Sequence, residues 1–292
     1  MSLAVVVTSS TSGIGRATAH AFAGEGATVV VHGLNEEGSD EVLAGVREAG
    51  GDPRFFPGDL RFAETCEGLI NFAVAELGHI DVLVNNAGAN FFLGALDADL
   101  AGWDDCLNLN LRAPWLCTKR AAPHMPRGSA IVNVASVHAF ATVPNGFPYN
   151  VAKAGVVALT RVLALELAPA GIRVNAVSPG FVETPITGAW FRSLPDPEVE
   201  RARMVSRHPV GRMGRPEDIA RAIRFLALEA EASFVTGGRP RGSAGRSGLN
   251  GRTRALRATF TVELRRRSRA VRTWNTPSAV CYPVWPGLPT SR

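Results

Sequence analysis

The sequence predicts one doubly wound α/β domain over residues 1–238, a mostly parallel sheet flanked by helices, followed by a tail over 239–292 of a different character. Three observations carry this. Short β-branched runs alternate with amphipathic helical stretches through the first span. The run Leu3 to Thr8 passes through a loop of small residues directly into a helix. A further strand, starting at Asp81, ends in the sharp turn Asn85-Asn86-Ala87-Gly88.

Each element follows from its local pattern. Leu3 to Thr8 has the continuous apolar character of a strand buried on both faces. The loop Thr8-Ser9-Ser10-Thr11-Ser12-Gly13-Ile14-Gly15 leads into the helical stretch Arg16 to Ala23. Strand, small-residue loop and helix are the parts of a phosphate cradle, where backbone N–H groups and the positive helix end face an anion. A tight β-α turn has the same appearance. Ala27 to His32 is the second strand, Glu36 to Ala49 an amphipathic helix, and Arg54 to Pro57 the third strand. Gly58-Asp59-Leu60 closes it, and a helix spans Ala63 to Leu77. Leu96 to Met125 reads as one long helix with a bend near Pro114. Ser129 to Ser136 is the fifth strand, Tyr149 to Leu167 a helix, and Ile172 to Val177 the sixth strand. Thr184 to His208 is long, polar and dotted with aromatics, as a loop that forms a lid or substrate wall would be. Gly211 to Leu228 contains a helix opened by Pro216.

The chemistry centres on Tyr149-Asn150-Val151-Ala152-Lys153. Residues i and i+4 share one helix face. An ammonium beside a phenol favours phenolate, so the Tyr149 pKa is expected to fall below its usual value of about 10. A phenol so tuned can give or take a proton in a carbonyl/alcohol step. The chain has only two Tyr and two Lys, Lys119 being the other, so a Tyr-x-x-x-Lys pair is notable here. A surface Tyr beside a solvated Lys is the ordinary alternative for such spacing.

Several stretches together resemble the short-chain dehydrogenase/reductase family, in its 3-oxoacyl-ACP-reductase-like form. Thr8 to Gly15 is similar to the Thr-Gly-x-x-x-Gly-x-Gly fingerprint, Asn85 to Gly88 to the Asn-Asn-Ala-Gly turn, and Ser136, Tyr149 and Lys153 to the catalytic set. Gly214-Arg215-Pro216-Glu217-Asp218-Ile219-Ala220 also matches, and the likeness runs from residue 3 to about residue 238. It implies a Rossmann-type fold and an NAD(P)-dependent enzyme interconverting a ketone and a secondary alcohol. The implied catalytic residues are Ser136, which orients the carbonyl, Tyr149 as acid/base, Lys153, and Asn110, which supports a proton relay. The implied cofactor contacts are Thr8, Ser9, Ser10, Gly13, Ile14, Gly15, His32, Asp59 on the adenine, Leu60 against its ring, Asn86, Ala87, Gly88, Tyr149, Lys153, Pro179, Gly180 and Thr184. After the second strand the acid that selects NAD is missing from His32-Gly33-Leu34-Asn35, so NADP is the preferred cofactor and NAD the alternative. One position departs from the fingerprint: Ser9 stands where the family has Gly. If that backbone has φ > 0, serine costs roughly 1 kcal/mol or more. A folded but inactive scaffold protein is the rival reading. A serine hydrolase built on Ser136 and His138 lacks the Gly-x-Ser-x-Gly elbow.

Composition bounds the rest. The four Cys show no metal-ligand spacing, and they read as small buried residues of a reducing cytoplasm. No apolar run is long enough for a membrane span, and no targeting segment is expected. The net charge of +5 misleads, because residues 239–292 hold 12 Arg against one acid, Glu263, while acids outnumber bases in the remainder. Nucleic acid is therefore not expected as a partner of the body of the protein. The tail is rich in Arg, Gly, Ser and Pro and reads as disordered. It abandons the family pattern after Gly238, as an out-of-frame translation would; a basic arm for RNA, DNA or acidic surfaces is the alternative. The last strand of the sheet is then missing or replaced, which puts the family's usual homo-oligomer in question. The expected partner is a small carbonyl or alcohol substrate. Phe91, Phe92, Phe140, Phe147, Trp190 and Phe191 suggest an apolar pocket for it.

Overall fold

The computed structural model describes residues 2–238; the basic tail and its expected strand lie outside the described residues. Six strands form the sheet: β1 (Ala4–Val7), β2 (Thr28–Gly33), β3 (Asp52–Pro57), β4 (Val82–Asn85), β5 (Ala130–Val134) and β6 (Arg173–Val177). Their order is β3-β2-β1-β4-β5-β6 and every pairing is parallel. Parallel strands need crossovers, and helices supply them on both faces. They are α1 (Gly13–Ala23), α2 (Ser39–Glu48), α3 (Ala63–Leu77), α4 (Leu100–Leu107), α5 (Ala113–Ala121), α6 (Tyr149–Leu167), α7 (Pro185–Arg192), α8 (Pro197–Ser206), α9 (Pro216–Ala227) and the short α10 (Glu229–Ala232). No helix among the described residues is long and apolar enough to cross a membrane.

The strands bury both faces, so alternate residues enter two separate cores. Val6, Val30, Leu83, Ile131 and Val174 pack with α3, α5 and α6 residues such as Leu69, Leu116 and Leu163. Val5, Val7, Val29, Val31 and Val84 pack with Phe22, Val46, Ile223 and Leu226 on the other face. Cys66, Cys106 and Cys117 are buried free thiols. Arg173 on β6 donates to the carbonyls of Leu226 and Ala227, both at 2.6 Å, so its charge neutralises the C-terminal end of α9.

Two expectations are corrected. The stretch Leu96 to Met125 is not one bent helix. α4 and α5 are separated by a π-helical turn over Asn108–Arg112. Pro114 explains it: the ring has no N–H for the carbonyl of Asn110 and clashes with that group, so the ladder widens just before the proline. Likewise Thr184 to His208 is not a loop, because α7 and α8 lie within it. Thr184 and Asp196 cap them, accepting from Thr187 N–H at 3.3 Å and Val199 N–H at 3.2 Å, with Pro185 and Pro197 opening the first turns.

The expected loss of the last strand falls mostly on residues that are not described. Just before them, Gly237 N–H donates to Val174 O at 2.8 Å and Ala176 N–H to Gly238 O at 3.0 Å, so the chain runs beside β6 there without forming a strand among the described residues.

Candidate active site

The strand order reverses direction between β1 and β4, so the loops after these strands diverge and leave a crevice at the C-terminal edge of the sheet. Thr8 holds its two sides together. Its buried hydroxyl accepts from the N–H groups of Asn86 and Ala87 at 2.9 and 2.8 Å. Asn86 returns the contact, donating from Nδ2 to the carbonyls of Thr8 and Ser9 at 3.0 and 2.9 Å. Gly15 closes the packing: a Cβ there would collide with Ser9 O and lie 2.6 Å from Asn86 Nδ2. Ser10 is buried, donating to Val7 O at 2.7 Å and accepting from His32 N–H at 3.0 Å. The N–H groups of Gly13, Ile14 and Gly15 open α1 without intrahelical acceptors, as the start of a helix must. Ser9 has φ 51°, the left-handed conformation in which glycine is favoured.

On the far side of this loop, His32 is 3% exposed. Its Nδ1 accepts from Ser9 N–H at 3.0 Å and its Nε2 donates to Gly58 O at 2.9 Å. Both ring nitrogens are occupied, so His32 braces the loops after β1 and β3 and offers no proton to a phosphate. Burial drives its pKa down to about 4. Asp59 has both carboxylate oxygens on Arg61, at 2.9 and 2.8 Å. Desolvation pushes its pKa up, but the Arg61 hydrogen bonds and charge outweigh this and hold it below the usual value. The Leu60 side chain belongs to the core and is 2% exposed, so it does not present a face for an adenine ring.

The residues expected to react converge from β5, α6 and the π turn. Ser136 follows β5, and it stands close enough to Tyr149, the first residue of α6, to act on the pKa of the phenol. Lys153, one turn later, is buried and donates from Nζ to Val134 O at 3.0 Å. Its Nζ lies 5.6 Å from the centre of the Tyr149 ring. The expected drop in the phenol pKa is not what this arrangement produces. Burial raises Tyr149 to about 12, against the Ser136 side chain that lowers it, and burial lowers Lys153 to about 8. Both groups are desolvated together, and desolvation is the largest influence on each. Asn110 sits in the π turn, fully buried, donating from Nδ2 to Ala89 O and Cys106 O, both at 3.1 Å. Its Oδ1 has no hydrogen-bond partner among the described residues. A Cβ on Gly88 would lie 2.7 Å from that oxygen and 3.0 Å from Lys153 Nζ, so the β4 turn, Asn110 and Lys153 meet at one point.

Comparison with known proteins decides the family. A profile described as enoyl-(acyl carrier protein) reductase matches residues 8–240. The chain is 40% identical over 234 residues to a 3-oxoacyl-[acyl-carrier-protein] reductase of Thermotoga maritima, covering 80% of this chain and 92% of the relative. It is 42% identical over 235 residues to a cis-4-hydroxycyclohexanecarboxylate dehydrogenase of Sinomonas cyclohexanicum, covering 80% of this chain and 91% of the relative. The chain belongs to the short-chain dehydrogenase/reductase family. It is an NAD(P)-dependent oxidoreductase of that family. A crystal structure from Sinorhizobium meliloti 1021, assigned to the short-chain alcohol dehydrogenases, superposes with TM-score 0.77 at 34% identity, covering 82% of this chain and 95% of the other.

The residues present fit the family's dinucleotide. The start of α1 offers unpaired N–H groups to a pyrophosphate, and Gly15 and Gly88 are bare where a Cβ would clash. Lys153 spends one N–H on Val134 O, which leaves two for ribose hydroxyls. Pro179 is buried beside the Ser136 turn, its carbonyl accepting from Val137 N–H at 3.0 Å, with Gly180 next to it. Thr184 caps α7 and lies across from Gly13, within 3.3 Å of where a Cβ would stand there. A cavity of about 690 Å³ borders Gly13, Thr184, Phe191 and Arg16 but is lined by none of Ser136, Tyr149 and Lys153. The aromatics divide in two. Phe92 meets Tyr149 edge to face at 5.6 Å, whereas Trp190 and Phe191 pack with Met204 and Met213 in a small core of their own. Phe147 stacks on Trp103 at 5.3 Å. Sequence reading missed Asn133, whose amide accepts from Asn85 Nδ2 at 2.8 Å and donates to Thr160 Oγ1 at 2.9 Å, linking β4 to the catalytic helix. An Asn in the middle of an apolar strand was the available signal.

Two tests follow from these loops. Ser9→Gly removes the cost of a left-handed serine, and chemical denaturation is expected to show a gain of about 1 kcal/mol. An unchanged or lower stability would show that Ser9 is not strained. The second test concerns acid. The folded pKa of His32, about 4, lies below the usual 6.5, so the unfolded chain binds the extra proton between these values and stability falls as pH drops through that window. The loss is on the order of 3 kcal/mol. Stability measured against pH in the native chain and in His32→Asn should differ in slope over that range; parallel curves would disprove the assignment.

Proposed function

We propose that the protein reduces a ketone to a secondary alcohol, reversibly, with NADPH as the preferred reductant. The observation that carries this reading is the convergence of Ser136, Tyr149, Lys153 and Asn110 beside a glycine-lined crevice. The bound nicotinamide supplies the hydride. The Ser136 hydroxyl, beside Tyr149, orients and polarises the carbonyl oxygen. Tyr149 donates its phenolic proton to that oxygen as negative charge develops there. A phenol raised to about 12 stays protonated through neutral pH, which suits the reductive direction. Lys153 would hold the ribose of the bound dinucleotide, and it lies next to Asn110 Oδ1, which has no partner among the described residues and is placed to accept a hydrogen bond from the ammonium side of the site.

NADP is favoured by the loop after β2. The end of β2 and the residues just after it, His32-Gly33-Leu34-Asn35, hold no acid to accept from a 2′-hydroxyl, and a side chain at Gly33 would lie 2.8 Å from both Asn35 O and Thr11 Cγ2. The substrate class is a compact cyclic or acyl ketone or its alcohol, consistent with relatives named for 3-oxoacyl groups, for cis-4-hydroxycyclohexanecarboxylate and for cyclohexanol. Phe92 supplies an apolar wall for it.

The test pairs binding with turnover. Fluorescence titration of the whole chain should give saturable binding of NADPH, tighter than NADH. Tyr149→Phe should keep that binding and lose about 10²–10⁴-fold in kcat for ketone reduction, the usual share of a general acid. Equal loss of cofactor binding in the variant, or unchanged turnover, would remove Tyr149 from the role.

A further inference from the structure

His138 stands beside the proposed proton donor with neither ring nitrogen hydrogen-bonded among the described residues. Its ring meets Tyr149 edge to face at 6.1 Å and Phe92 at 5.8 Å, and those two rings meet each other at 5.6 Å. The backbone sets this position. Ser136 Oγ accepts from His138 N–H at 3.2 Å, opening the single 3-10 turn Val137–Ala139. The residue that orients the carbonyl therefore also places the imidazole.

The chemistry of the ring follows from its surroundings. Nδ1 is fully enclosed and the residue as a whole is half-buried, so the exposed part of the ring is the opposite edge, which carries Nε2. Nδ1 is enclosed without a partner in either tautomer, so only Nε2 is open to pair with a ligand. With its proton on Nε2, the neutral ring presents a donor at its open edge, on the side away from Nδ1. Burial alone lowers its pKa, with no charged neighbour acting on it, so the ring is neutral at neutral pH. It does not serve as a base for Ser136, because neither nitrogen bonds that hydroxyl.

We propose that His138 is the specificity-determining residue of this site, its Nε2–H receiving a second acceptor oxygen of the substrate, a carboxylate or ester carbonyl held a few atoms from the reacting ketone. This rests on the reading of Tyr149 as the group that meets the ketone. An otherwise aromatic wall gives one polar anchor, which is how a mostly apolar pocket fixes orientation. A carboxylate is the stronger of the two acceptors, since charge-assisted hydrogen bonds are roughly twice as strong as neutral ones.

The experiment compares the full-length native chain, His138→Leu and His138→Gln in NADPH-dependent reduction of cyclohexanone, 4-oxocyclohexanecarboxylate and its methyl ester. Leu should raise KM for the carboxylate about tenfold, and for the ester less, with kcat little changed and cyclohexanone within about twofold. Gln, which keeps a donor, should recover part of the loss. An equal fall for all three substrates would reduce His138 to a packing residue and overturn the proposal. A second readout needs no turnover. Imidazole NMR of the native chain, with the His138 signal assigned by its absence in His138→Gln, should show that signal shifting and its titration moving to higher pH on adding cyclohexanecarboxylate, but not cyclohexanol. No shift, or the same shift with both, overturns the proposal. A chain that reduces none of the ketones yet shows the selective shift would fail the oxidoreductase reading and leave the acceptor site standing.

Discussion

Everything at the C-terminal edge of the sheet depends on how closely the backbone after β1 approaches the start of α1 and the turn after β4. Gly15 has no space for a single carbon, because Ser9 O and Asn86 Nδ2 already fill it. That approach lets Thr8 and Ser9 share four hydrogen bonds with Asn86 and Ala87. The position of the β4 turn then fixes Gly88, and Gly88 touches the point where Asn110 and Lys153 meet. A steric limit in the first loop is thus transmitted to the reacting groups through three short contacts, each between backbone or rigid side chains.

Burial is the second governing influence. Tyr149 and Lys153 share a helix face, and their charges would attract in water. Removed from water, each is driven toward its neutral form, the phenol up to about 12 and the ammonium down to about 8. His32 shows the same effect at the other end of the crevice, where two hydrogen bonds hold a neutral ring. Desolvation selects the protonation state in all three cases, and hydrogen bonds select the geometry.

Much of this was legible in the sequence. Strands buried on both faces announce themselves by continuous β-branched runs, and α3 and α6 begin and end where their patterns change. Tyr149 and Lys153 could be paired because one helix turn separates them, and Ser136 was added by the family resemblance. Three things were not legible. The sign of the Tyr149 shift needs knowledge of burial, which spacing along a helix does not give. His32 and Leu60 were expected at the cofactor, but the side chains turn into a brace and into the core. The helices in Thr184 to His208 were masked by their polarity, although the caps Thr184 and Asp196, each followed by a proline, were in plain view.

The π turn before Pro114 carries a consequence for the helix that contains it. A π turn holds one more residue than an α turn needs, so α4 and α5 are out of phase by about 100° of rotation. Shortening the segment by one residue would straighten the helix and rotate Leu100–Leu107 away from its packing, with Asn110 following or leaving its place beside Lys153. Regular hydrogen bonding and the aim of that amide therefore exclude each other at this point. The irregular turn is a registration mark for the helix, and the chain can vary freely around it in composition but not in length.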